Sequence, residues 1–152
     1  MVRTWLLSLV ALWAGVASAQ DATQDSLAEC PAFPADPPAA MRWEVMRVPG
    51  MLVCRALRTD SGEEAFVMTV SAESPFKPRR GDRAELTTLN GREVQWYRGE
   101  VPNEPNVLIR EALIRVAEDR VVHVFMRTTD PQILAERQQL VLSLPLPVYV
   151  ED

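Results

Sequence analysis

From residue 41 onward the chain breaks into short runs in which apolar and polar residues alternate, separated by turn-forming residues. "RWEVMRV" (42–48) puts Trp43, Val45 and Arg47 on one side. "PG" (49–50) turns the chain, "MLVCRALR" (51–58) follows, "TDSGE" (59–63) turns it again, and "EAFVMTVSA" (64–72) completes the set. Period-two alternation marks a half-buried strand, and the short turns predict an antiparallel meander. A loop with two prolines and a glycine, "ESPFKPRRGDR" (73–83), comes next. "AELTTL" (84–89) and "REVQWYRG" (92–99) flank Asn90-Gly91. This is a strong hairpin signal, because both central residues of a type I′ turn need positive φ. After the loop "VPNEPN" (101–106), "VLIREALIRVA" (107–117) and "RVVHVFMRTT" (120–129) form a second hairpin about "ED". On its last strand Val122, Val124, Met126 and Thr128 share one face, and Val121, His123, Phe125 and Arg127 the other.

The period then changes. "TTDPQILAERQQLVLSLPLP" (128–147) has Asp130 placed as an N-cap and Pro131 at the first helical position. Ile133, Leu134, Leu140, Val141 and Leu144 fall on one helical stripe, with Glu136, Arg137 and Gln138 off it. Pro145 and Pro147 close the segment. The predicted fold class is therefore α+β: a twisted antiparallel sheet of about six to seven strands, covered on one face by a C-terminal helix.

The N-terminus belongs to another category. "MVRTWLLSLVALWAGVASAQ" has a positive Arg3, a short apolar run from Trp5 to Val16 and a small-residue site at Ala17-Ser18-Ala19. This is the pattern of a secretory signal peptide cut between Ala19 and Gln20. The run is too short for a membrane-crossing helix of about 20 apolar residues. No cysteine follows the small residues, so a lipoprotein anchor is not expected. The organisation reads as leader 1–19, a proline-rich arm 20–40, and a single domain 41–152. Export predicts a periplasmic or secreted location.

Charge and cysteine content sharpen this. The chain carries −5, and loss of the leader, whose only charge is Arg3, leaves −6. An acidic chain lacks the basic footprint of a nucleic-acid binder. Two cysteines in an oxidising compartment predict one disulfide, Cys30–Cys54, fixing the arm "ECPAFPADPP" (29–38) to the first strands. The spacing is not the C-x-x-C of a redox pair.

Catalytic signals are sparse. His123 is the single histidine and has valine and phenylalanine for company on its strand. One histidine and two cysteines cannot close a zinc site. The glycines are scattered rather than gathered into a phosphate loop, and no G-x-S-x-G elbow occurs. Glu63, Glu64, Glu93, Glu100, Glu104, Glu111 and Glu118 lie in turns or alternate with arginine on strands, as solvated faces do. No cofactor is expected. The one charge anomaly is "FKPRRGDR" (76–83), where Lys77, Arg79, Arg80 and Arg83 stand against Asp82 alone. Two readings are open: a solvated loop whose arginines pair with neighbouring carboxylates, or a surface that meets an acidic partner, a phosphate or a lipid head group. Adjacent Trp96 and Tyr97 must point to opposite faces, so one of them is a further candidate for a binding surface.

"LTTLNGREVQWYRGE", "LIREALIRVAEDRVVHVFMRTTD" and "PQILAERQQLVLSL" together resemble the PsbP-like fold group over about residues 84–145. The resemblance lies in a short hairpin, a long hairpin ending in small polar residues, and a final helix closing on an apolar-Ser-apolar signature, here Leu142-Ser143-Leu144. The first half departs from that pattern, lacking its N-terminal strand with a Pro–Trp turn. The resemblance implies a sheet-and-helix fold and a non-enzymatic role as assembly factor, adaptor or envelope protein. The expected function is an exported interaction or accessory protein, such as an inhibitor or immunity-type binder of another envelope or secreted protein. The alternatives are a small hydrolase using carboxylates or His123, and a carrier of an apolar ligand between sheet and helix.

Overall fold

The computed structural model describes residues 28–37, 39–147 and 149. The expected leader and its expected cleavage site lie outside the described residues. Among the described residues seven strands form: β1 (Met41–Val48), β2 (Met51–Arg58), β3 (Glu64–Ser71), β4 (Arg83–Leu89), β5 (Arg92–Gly99), β6 (Leu108–Ala117) and β7 (Arg120–Thr128). One helix, α1 (Pro131–Leu142), follows them. The α+β class is as expected from the alternating runs and the late change of period. At the β4–β5 turn Asn90 has φ 49° and Gly91 φ 79°, the backbone that Asn-Gly accommodates.

The strand order is β1-β2-β3-β7-β6-β5-β4, antiparallel throughout. Two meanders, β1–β3 and β4–β7, are joined where β3 pairs with β7. This pairing is non-local, and it puts β4 at the far edge of the sheet from β1.

Alternation sends one set of side chains inward. Leu52, Cys54 and Ala56 of β2, Phe66, Met68 and Val70 of β3, and Val122, Val124 and Met126 of β7 are all buried. Ala112, Ile114 and Val116 of β6 continue this face, with Val94 and Trp96 of β5. Two pieces cover it. The first is α1, through Leu134, Leu140 and Val141, with Leu144 and Leu146 beyond its end. The second is the arm. The Cys30–Cys54 disulfide is formed, Phe33 stacks on Trp43 at 4.3 Å, and the Trp43 indole N–H donates to the Pro31 carbonyl at 2.7 Å. The arm therefore docks through an aromatic contact as well as the covalent bond.

The helix departs from its expected stripe. Ile133 is 37 % exposed, whereas Arg137 and Gln138 are buried beside Leu134 and Val141. The long stems of Arg137 and Gln138 can lie on the core while their heads reach polar partners. Arg137 donates to the Arg127 carbonyl at 2.7 Å and to Glu63 at 2.6 Å. Gln138 donates to Glu85 at 3.3 Å. The start of the helix is as expected: Asp130 accepts from the N–H groups of Gln132 and Ile133. The helix stops at Leu142 because Pro145 disfavours helical backbone at Leu144.

Candidate functional site

The topology decides where the basic loop runs. The chain leaves β3 and must re-enter the sheet at β4, beyond β7, β6 and β5. Four strand spacings make about 19 Å. Residues 72–82 cover this distance. Since α1 and the arm occupy the buried face, the loop crosses the outer face. Ser71 Oγ donates to the Glu73 carbonyl at 2.6 Å, and the Phe76 N–H donates to Ser74 Oγ at 3.2 Å, so the loop starts with its own polar groups satisfied.

Phe76 is the anchor. Its ring stacks on His123 of β7 with centroids 5.0 Å apart and planes 9° apart. It also meets Tyr97 of β5 edge-on at 5.8 Å. His123 Nε2 lies 2.7 Å from Glu111 Oε2, and both side chains are mostly buried, at 15 % and 19 % exposure. Strand register explains the grouping: Glu111 lies opposite both Tyr97 and Phe125, and His123 opposite Leu113 and Thr69. Three strands thus place an imidazole, a carboxylate and a phenol on one face under one phenylalanine.

Beyond this anchor the loop carries its charge outward. Lys77, Arg79, Arg80 and Arg83 are all exposed. Among the described residues none of the four makes an ion pair or a side-chain hydrogen bond. Other cations do pair: Arg55 with Glu44 and Glu64, Arg58 with Asp60, Arg110 with Glu85, and Arg137 with Glu63. Arg83 opens β4 directly opposite Tyr97, joining the loop to the aromatic group. Of the two adjacent aromatics, only Tyr97 belongs to this surface. Trp96 is wholly buried and gives its indole N–H to Thr87 Oγ1 at 2.9 Å, so its candidacy as a binding residue is withdrawn. In its middle the outer face is half-exposed and mainly apolar, with Val53, Val67, Leu113, Val121 and Phe125.

Sequence reasoning missed Phe76 and the Glu111–His123 contact. The available signal was a single aromatic residue between prolines in an otherwise polar loop.

The strongest charge effect lies on the opposite side of the sheet. Arg110 grips Glu85 with two hydrogen bonds of 2.7 Å, and this holds the Glu85 carboxyl down to about 2. Gln138 adds to it, tying edge strand β4 to β6 and α1. No cluster of three or more metal-ligating side chains occurs among the described residues, and no helix among them is long and apolar enough to cross a membrane. No family model, curated protein or solved structure matches the chain.

Proposed function

We propose that the protein is an exported, non-enzymatic interaction protein that binds an acidic partner protein through the loop 76–83 and the outer sheet face around Tyr97. One observation carries the reading: four cations without ion pairs among the described residues, held out from an acidic chain by a loop that Phe76 anchors on His123. The Phe76 anchor limits the backbone freedom that the loop would lose on binding. Its field opposes the net charge of the molecule, which favours an acidic local partner. The leader cut between Ala19 and Gln20 would deliver the chain to the periplasm or the exterior, where the disulfide is stable. The resemblance to the PsbP-like fold group accords with an accessory role, and an inhibitor or immunity-type binder fits it well.

The test is affinity capture of the tagged chain from its native envelope, beside an Arg79→Glu/Arg80→Glu variant. A single stoichiometric protein that is lost in the variant supports the reading. A chain that elutes alone, or a protein kept by the variant, contradicts it.

A second reading, a small hydrolase, draws on the Glu111–His123 contact. In it Glu111 orients the imidazole and His123 acts as general base. Among the described residues no hydroxyl hydrogen-bonds to His123, and Phe76 covers one ring face. Glu111→Gln, which leaves the Phe76–His123 stack in place, separates the two readings: the hydrolase loses most of its activity, whereas the binder keeps its partner.

A further inference from the structure

The two edges of the sheet are not alike. On β4 the ladder shifts register between Arg83 and Leu86, and such an irregularity disfavours pairing with another strand. β1 has no such device. It pairs with β2 without interruption from Met41 to Val48, contains no proline, and exposes Val45, Met46 and Val48 at 47 %, 52 % and 43 %. The arm lies on the buried face, and no backbone hydrogen bond from residues 28–37 to β1 occurs. Among the described residues the outer edge of β1 is therefore open. A long, regular, partly apolar open edge is a template for another strand.

The occupant can be argued from register and charge. Counting back from the Pro49-Gly50 turn, the odd-numbered residues of β1 direct their N–H and C=O groups away from β2. A second β1 running antiparallel must bond to these odd positions, which also keeps the outer faces of both sheets on one side. Centring the pair on Glu44 sets two carboxylates against each other. Centring it on Val45 puts Glu44 against Met46 and Arg42 against Val48. Centring it on Trp43 puts Arg42 opposite Glu44 of the second copy, and Glu44 opposite the second Arg42. These would be non-hydrogen-bonded pairs, where side chains approach most closely. The same register sets Val45 against Met41. Arg42 is exposed and has no ion pair among the described residues, while Glu44 meets only Arg55. The Trp43 side chain is already turned inward between Phe33 and Phe66, out of the way of the junction.

We infer that two copies of this chain join edge to edge through β1, antiparallel and two-fold about Trp43, into one continuous sheet. This goes beyond the binding role of the loop and is independent of it, because β1 and β4 are opposite edges of the sheet.

Sedimentation analysis of the exported chain tests this. Arg42→Glu sets Glu against Glu at both equivalent positions of the junction, and Glu44→Arg sets Arg against Arg. The wild type is expected to sediment as a dimer. Each single variant is expected to dimerise at least about tenfold more weakly. An equal mixture of the two variants restores both opposite-charge pairs, and is expected to sediment as a dimer again. This recovery excludes misfolding as the cause of the single-variant losses. A wild type that stays monomeric at about 100 µM, single variants that dimerise like the wild type, or a mixture that does not recover would each overturn the inference.

Discussion

Cys54 has no solvent exposure, and its partner Cys30 sits in a segment with little other apolar content. The bond closes a loop between residues 24 positions apart. The chain-entropy model assigns such a loop roughly 3 kcal/mol. A Cys30→Ser/Cys54→Ala variant is expected to lose about this much in urea unfolding. Adding reductant should lower the wild type toward the variant and leave the variant unchanged. Glu85 gives a pH signature. Its folded carboxyl titrates at about 2, below the ordinary value of 4.5, because Arg110 hydrogen-bonds to the ionised form. A depressed carboxyl contributes stability that is fully present above pH 4.5 and lost as pH falls toward 2. Because Glu85 remains partly exposed, water screens the pair, and its contribution is about 1 kcal/mol or less. The stability gap between the wild type and Glu85→Gln should therefore close over that acid window. It should be flat above it.

At the scale of elements, the helix and the strands differ in how openly their residues announce them. The strands were legible because period two and the turn residues agree, most clearly at Asn90-Gly91. The helix start was legible in Asp130 and Pro131. Its buried face was not. Arg137 and Gln138 follow Leu134 at helical spacing, but a polarity-based stripe excludes them, since it cannot know that carbonyl and carboxylate acceptors wait at the sheet ends. Asp130→Ala removes two cap bonds and is expected to cost about 1 kcal/mol. Gly99 shows a tighter constraint: a Cβ there would lie 2.6 Å from Ile109 Cγ2 on the paired strand. Gly99→Ala should destabilise by about 1–3 kcal/mol through overpacking, readable as a lower denaturation midpoint at unchanged slope.

At the scale of the whole molecule, strand order makes the candidate site. Neither the β3–β7 pairing nor the path of residues 72–82 could be read from local pattern, because both depend on contacts between distant parts of the chain. The charge anomaly at 76–83 was legible as composition. Its anchoring by Phe76, and its nearness to Tyr97 rather than Trp96, required the fold. The arm was legible as a disulfide-linked segment, yet Phe33 on Trp43 was not, since one aromatic between prolines has no period.

The most direct measurement places a photo-crosslinking residue at Lys77 on the loop and, separately, at Gln139 on the exposed side of α1, in the chain expressed in its native host. Binding through the loop predicts one discrete crosslinked protein at 77, absent at 139 and abolished by Arg79→Glu/Arg80→Glu. No adduct at 77, or equal adducts at both positions, would contradict it.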